Sequence, residues 1–156
     1  MKVADVMTTE VQRCLASDRL DCVARMMWEH DCGALPVVDG RGRTISMITD
    51  RDVCMAAYTT GRPLHAIPVT AAASHGIHSV SPDDSIADAE CVMKMHRVRR
   101  LPVIDVGGNL VGMISLADVL RHAGASAEGG EGGLDPDHLA ATVCAVFRSH
   151  DLPGHH

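Results

Sequence analysis

A chain of 156 residues, 46% hydrophobic and 22% charged, has the size and composition of one globular domain or of two small ones that share a core. A net charge of -6 without any Lys/Arg run argues against a nucleic-acid groove, and no stretch approaches the roughly 20 apolar residues of a membrane span. Aromatic residues make up only 2%, as single Trp28, Tyr58 and Phe147, so the core and any ligand pocket are expected to be aliphatic.

The opening Met1-Lys2-Val3-Ala4-Asp5-Val6 carries charges where a signal peptide needs an apolar run, so a cytoplasmic location is expected. Six scattered cysteines without a C-x-x-C argue against a disulfide framework or a structural zinc site. They are expected to be reduced, small core residues.

In chain order, an extended segment from Val11 to Leu15 leads to Ala16-Ser17-Asp18, a polar turn suited to a helix N-cap. A helix follows, with Leu20, Val23, Ala24 and Met27 on one face. Leu35 to Val38 reads as a buried strand and Asp39-Gly40-Arg41-Gly42 as a turn. Thr44 to Ile48 is a second strand that runs through Thr49-Asp50-Arg51-Asp52 into another helix.

After a Pro-bounded join from Gly61 to Pro68, the same grammar returns. Ile77 to Val80 is extended, Ser81-Pro82-Asp83-Asp84 is the turn, and Ile86, Ala89 and Met93 mark the helix face. Strands from Leu101 to Ile104 and from Leu110 to Ile114 flank the turn Asp105-Val106-Gly107-Gly108-Asn109, and Ser115-Leu116-Ala117-Asp118 opens the last helix of the copy. Leu101 follows Leu35 by 66 positions, and the same offset relates Asp105 to Asp39, Gly108 to Gly42, His96 to His30 and Asp118 to Asp52.

The expected organisation is therefore α+β: two strand-helix-strand-strand-helix copies, residues 1–62 and 67–124. Each is too small to bury a sufficient core alone, so the two sheets should pack against each other. Residues 125–134 read as a flexible Gly-rich linker. Residues 135–156 read as a terminal helix and tail, with Asp135-Pro136 at its start and Leu139, Val143, Val146 and Phe147 at helical spacing.

Two copies of Gly33-Ala34-Leu35-Pro36-Val37-Val38-Asp39 or Arg99-Arg100-Leu101-Pro102-Val103-Ile104-Asp105, each followed by Met-Ile-Thr/Ser-x-x-Asp-Val, resemble the paired cystathionine β-synthase (CBS) domains of the Bateman module. The resemblance covers about residues 1–124. In that family, bacterial chains carrying a pair and no catalytic domain are known, and the stretch from Met27 to Gly33 is similar to one seen in many of them. The resemblance implies tandem repeats packed with pseudo-twofold symmetry, with two clefts between the copies that often bind adenosine nucleotides (AMP, ADP or ATP) or S-adenosylmethionine, and dimerisation into a flat disc.

An alcohol with an acid three residues on at a helix start is a capping box in its own right. Thr49/Asp52 and Ser115/Asp118 both qualify. The same groups can serve a nucleotide, the carboxylate accepting ribose hydroxyls while the hydroxyl and helix N-terminus favour phosphate. In the family frame, backbone groups at Gly33 and Ala34, and at Arg99 and Arg100, face the adenine edge. The small residues leave room for a base, and Val11 to Cys14 and His78 to Val80 lie where the base is often gripped. Arg100 is expected to reach a phosphate held at Thr49/Asp52, and Arg51 offers a second guanidinium there, unless it pairs with Asp50. Leu116-Ala117 and Ala34 give the Ser115/Asp118 cleft no such charge, so Asp52→Ala is expected to matter more than Asp118→Ala.

The expected function is regulatory sensing of an adenosine ligand, with a second copy and an unidentified effector protein as partners and no membrane or nucleic acid. The alternative is a structural or interaction protein acting through dimerisation and the terminal helix, with vestigial clefts. Catalysis is not expected, because no nucleophile with an adjacent base and no glycine-rich phosphate loop occurs. His138, Cys144, His150, His155 and His156 match no zinc spacing, so no metal and no required cofactor are expected.

Overall fold

The computed structural model describes residues 1–127 and 136–147. Its elements are β1 (Cys14–Leu15), α1 (Leu20–Glu29), β2 (Ala34–Val38), β3 (Thr44–Thr49), α2 (Asp50–Thr60), α3 (Ile86–His96), β4 (Arg100–Ile104), β5 (Leu110–Ser115), α4 (Leu116–Ala127) and α5 (Pro136–Phe147). β1 runs parallel to β2, which pairs antiparallel with β3. β4 and β5 form the matching antiparallel pair, and the first strand of this copy is reduced to a parallel bridge between Val80 and Val103. The strand-helix-strand-strand-helix order holds in both copies, in an α+β fold.

The repeat extends to the detail of the backbone. Ala34 pairs with Thr49 and Arg100 with Ser115, each partner 66 residues beyond its counterpart. Gly42 and Gly108 both take a left-handed conformation in the hairpin turns, where a side chain would be strained. The copies meet at these hairpins, through a bridge between Arg43 and Asn109 and a hydrogen bond from Thr44 N to Gly108 O.

Two aliphatic cores form, and the copies exchange their leading segments. Val3 is buried in the second core, among Ala89, Met93, Leu101 and Ile114, and its amide donates to Asp84 O. Its counterpart Val69 is buried in the first core, among Leu20, Val23, Leu35 and Ile48, and its amide donates to Asp18 O. Burial of apolar faces thus ties each copy to the other.

The helix faces read from the sequence are buried at Leu20, Val23 and Met27 and at Ile86, Ala89 and Met93. The expected caps differ. Asp18 and Asp84 turn back onto the amides of Leu15 and Ser81, closing the strand-to-helix turn. The residue before α1 is Arg19, without a side-chain cap, whereas Ser85 caps α3 through a reciprocal pair with Asp88. α5 docks on α3, where Thr142 Oγ1 donates to Glu90 Oε1, and Val146 enters the second core. The Arg99 guanidinium stands 5.4 Å from the Phe147 ring centre. Residues 125–127, expected to begin the linker, instead close α4, while the Gly-rich residues 128–134, Asp135 and the tail histidines His150, His155 and His156 lie outside the described residues.

All six cysteines are free, but only Cys14 is a core residue; Cys22 and Cys32 are half-buried, and Cys54, Cys91 and Cys144 are exposed. Burial, with the nearby Asp18 charge adding and a hydrogen bond with its own backbone opposing, pushes the Cys14 thiol up to about 12. At pH 8 iodoacetamide should therefore modify Cys54, Cys91 and Cys144 of the folded protein and leave Cys14 unmodified until denaturant is added. Peptide mass spectrometry reads the difference, and equal labelling at Cys14 would mean that the first core opens readily.

Candidate functional site

Both alcohol-acid pairs form reciprocal caps. Thr49 N and Thr49 Oγ1 donate to Asp52 Oδ2 at 2.8 and 2.9 Å, and Asp52 N returns a bond to Thr49 Oγ1 at 3.2 Å. At the start of α4, Ser115 N and Oγ donate to Asp118 Oδ2 at 2.8 and 2.6 Å, and Asp118 N donates to Ser115 Oγ at 3.2 Å. The second acid carries one more partner, the Arg121 guanidinium at Asp118 Oδ1. Burial pushes the Asp118 carboxyl up, but the Ser115 and Arg121 contacts outweigh it and the net shift is downward. The group is an anion at neutral pH, available to accept hydrogen bonds.

A cavity of about 460 Å³ opens beside this second cap. Ala34, Arg100, Ser115 and Asp118 line it, together with Thr8, Glu10, Gln12, His30, Cys32 and Met113. The site is therefore shared between the copies: Ser115, Asp118 and Arg100 come from the second, and His30, Cys32 and Ala34 from the first. The exchanged leading segment closes one side, held by reciprocal 2.8 Å hydrogen bonds between Thr8 and Met113. Burial pushes the Cys32 thiol up, and the nearby Arg100 guanidinium pulls the other way. Both side chains line the cavity, so the arginine of the second copy and the cysteine of the first face one space.

Sequence alone assigns Arg100 to Thr49/Asp52; the structure places it on the wall beside Ser115. The register is the reason, since Arg100 and Ser115 are directly paired across the ladder and their side chains leave the same face. A guanidinium and the N-terminus of α4 thus face one cavity, where the sequence assigns no charge. Thr8 and Glu10 are absent from the sequence-based candidates because only the segment exchange brings them here, whereas Val11 and Gln12, also on the lining, belong to the stretch expected to grip the base.

The other candidates stand elsewhere. Thr49, Asp52, Arg51 and Gly33 are not on this cavity's lining. The Gly33 carbonyl accepts from Asp50 N at 3.0 Å, and a Cβ added to Gly33 would meet Asp50 Oδ2 at 3.1 Å, so the room expected for a base is taken by a carboxylate. Gln12 and His30 line the cavity; their counterparts His78 and His96 stack on each other with ring centroids 3.6 Å apart. Arg51 is exposed. Val80 is buried in the second core, with its amide and carbonyl bonded to Pro102 and Ile104.

No helix among the described residues is long and apolar enough to cross a membrane. Among the described residues, no group of three or more His, Cys, Asp or Glu side chains is placed to hold a metal ion.

The CBS domain model matches residues 3–58 and 64–125. The chain is 37% identical over 117 residues to the CBS domain-containing protein YhcV of Bacillus subtilis, covering 75% of this chain and 81% of that one. It is 35% identical over 118 residues to hypoxic response protein 1 of Mycobacterium tuberculosis, covering 76% and 82%. The crystal structure of Hypoxic Response Protein I with two coordinated zinc ions superposes with a TM-score of 0.71, at 33% identity over 78% of this chain and 98% of that one. The fold is also that of CBSX2 in complex with AMP (TM-score 0.71, 23% identity, 81% and 98% covered). The same holds for the CBS domain pair of MJ0100 in complex with 5′-methylthioadenosine and S-adenosyl-L-methionine (TM-score 0.73, 18% identity, 81% and 98% covered). With both repeats matched in sequence and in fold, the chain belongs to the CBS domain family, as a tandem pair.

Proposed function

We propose that the protein is a regulatory module that senses an adenosine nucleotide in the cavity at Ser115, Asp118 and Arg100. The observation that carries this reading is the convergence, on one cavity between the copies, of a partly buried carboxylate, a guanidinium and a helix N-terminus. About 460 Å³ is a small-molecule volume. Asp118 accepts the ribose hydroxyls, while Ser115, the first turn of α4 and Arg100 favour the phosphate. Ala34 and Leu35 offer an apolar wall to the base. The AMP and S-adenosylmethionine complexes of proteins with this fold support the ligand class.

Because the cavity draws residues from both copies, a bound ligand favours one relative orientation of the sheets in proportion to its differential affinity for the two states. Isothermal titration of the folded protein with AMP, ATP and S-adenosylmethionine is expected to show saturable heat with at least one of them. No heat with any would remove the reading.

A second reading rests on the aromatic residues. Trp28 on α1 is 88% exposed and Tyr58 on α2 is 82% exposed, which is unusual for side chains of this size. These residues favour a protein interface on the helices of the first copy, with a second copy as the expected occupant. Sedimentation of the wild type and of Trp28→Ala distinguishes it.

A further inference from the structure

We propose that Arg121 is a specificity-determining residue of this cleft: its guanidinium holds the carboxylate oxygen that a ribose diol needs, so the ligand binds by displacing it. The inference rests on the nucleotide reading above and concerns how that site sets its affinity. Asp118 Oδ2 already accepts two hydrogen bonds from Ser115, which leaves Oδ1 for anything that approaches from the cavity. Arg121, one helical turn further along α4, donates to that oxygen from Nη2. The carboxylate is only 12% exposed, whereas the arginine side chain is 75% exposed. Arg121 therefore covers the acid from the solvent side and can swing into water while the ligand's hydroxyls take over the carboxylate oxygen.

The first copy supplies the internal comparison. Asp52 makes the same bonds with Thr49, yet the residue 66 positions before Arg121 is Met55. Among the described residues, Asp52 Oδ1 has no hydrogen-bond partner. The guanidinium is thus an addition to the second cap and not a requirement of capping. A cis-diol presents two O–H donors and competes with Arg121 for the same lone pairs. An ion pair with one exposed partner contributes little, so the competition lowers affinity a few-fold without preventing binding.

The test is titration of the wild type, Arg121→Met and Arg121→Gln with AMP and with 2′,3′-dideoxy-AMP, on proteins shown by circular dichroism to be folded. Both variants should bind AMP about two- to fivefold more tightly than the wild type and bind the dideoxy compound equally. Weaker AMP binding would make Arg121 a ligand contact and overturn the proposal, and so would unchanged AMP binding. If neither compound binds wild type or variants, the nucleotide reading falls and the displacement falls with it. Equal AMP binding by all three proteins removes the displacement alone.

Discussion

Asp118→Ala is expected to weaken AMP binding by at least about tenfold, whereas Asp52→Ala leaves it within about twofold. A hydrogen bond to a charged group contributes about 1.5–3 kcal/mol, and each 1.4 kcal/mol is about tenfold in affinity. Asp118 lies on the cavity wall; Asp52 does not. Each substitution also removes a reciprocal cap, at a cost of about 1 kcal/mol, so both variants should lose similar stability. The largely shared structural cost makes the comparison informative: besides the ligand contact, only the pair with the exposed Arg121, which contributes little, separates the two acids. Titration with AMP, at a temperature where both variants retain wild-type circular dichroism, gives the answer. Loss of binding in Asp52→Ala alone would move the ligand to the first cleft.

This order is the reverse of the one the sequence suggests. The motif spacing identifies the acids, the alcohols and the arginine, and these are the groups that matter. Which cleft the arginine serves depends on strand register and on the direction in which paired side chains leave the sheet. A one-residue change in pairing would send Arg100 to the other face. Composition and periodicity carry no such information. Two further features are revealed only by coordinates, the Asp50 carboxylate against Gly33 and the stacked imidazoles of His78 and His96, which stand at the positions that repeat Gln12 and His30.

The architecture itself is legible because one offset without gaps relates every strand and helix face. What the pattern leaves open is against which partner an apolar residue is buried. Val3 and Val69 are apolar in either case, but each belongs to the other copy's core. Glu90 is hidden in the same way: within α3 it reads as an ordinary solvated acid, and its 2% exposure follows from α5 lying over it. The cysteines fail for a related reason. Their type suggests burial, yet Cys54, Cys91 and Cys144 sit on outward helix faces, where the helical period and not the side chain decides.

The exchanged segment leads to a second large effect. Gly112→Ala is expected to lower stability by about 1–3 kcal/mol, the usual range for overpacking. A Cβ at this position would stand 2.6 Å from Met7 Sδ, 3.0 Å from Met7 Cγ and 3.0 Å from Thr8 O. The sulfur can yield, but the Thr8 carbonyl belongs to the reciprocal pair with Met113, so the segment must move as a unit. Thr8 and Met113 also line the cavity, and affinity for AMP should fall along with stability. The first copy shows the alternative solution: Ser46 stands at the position of Gly112 and Ala73 at that of Met7, a larger strand residue facing a smaller segment residue. The two copies thus carry opposite size orders at positions related by the repeat. Met7→Ala introduced into Gly112→Ala should therefore recover most of the lost stability, although Met7→Ala alone leaves a gap beside the glycine. Urea denaturation of the four proteins measures the coupling, and purely additive effects would show that Met7 is not what the new methyl group meets.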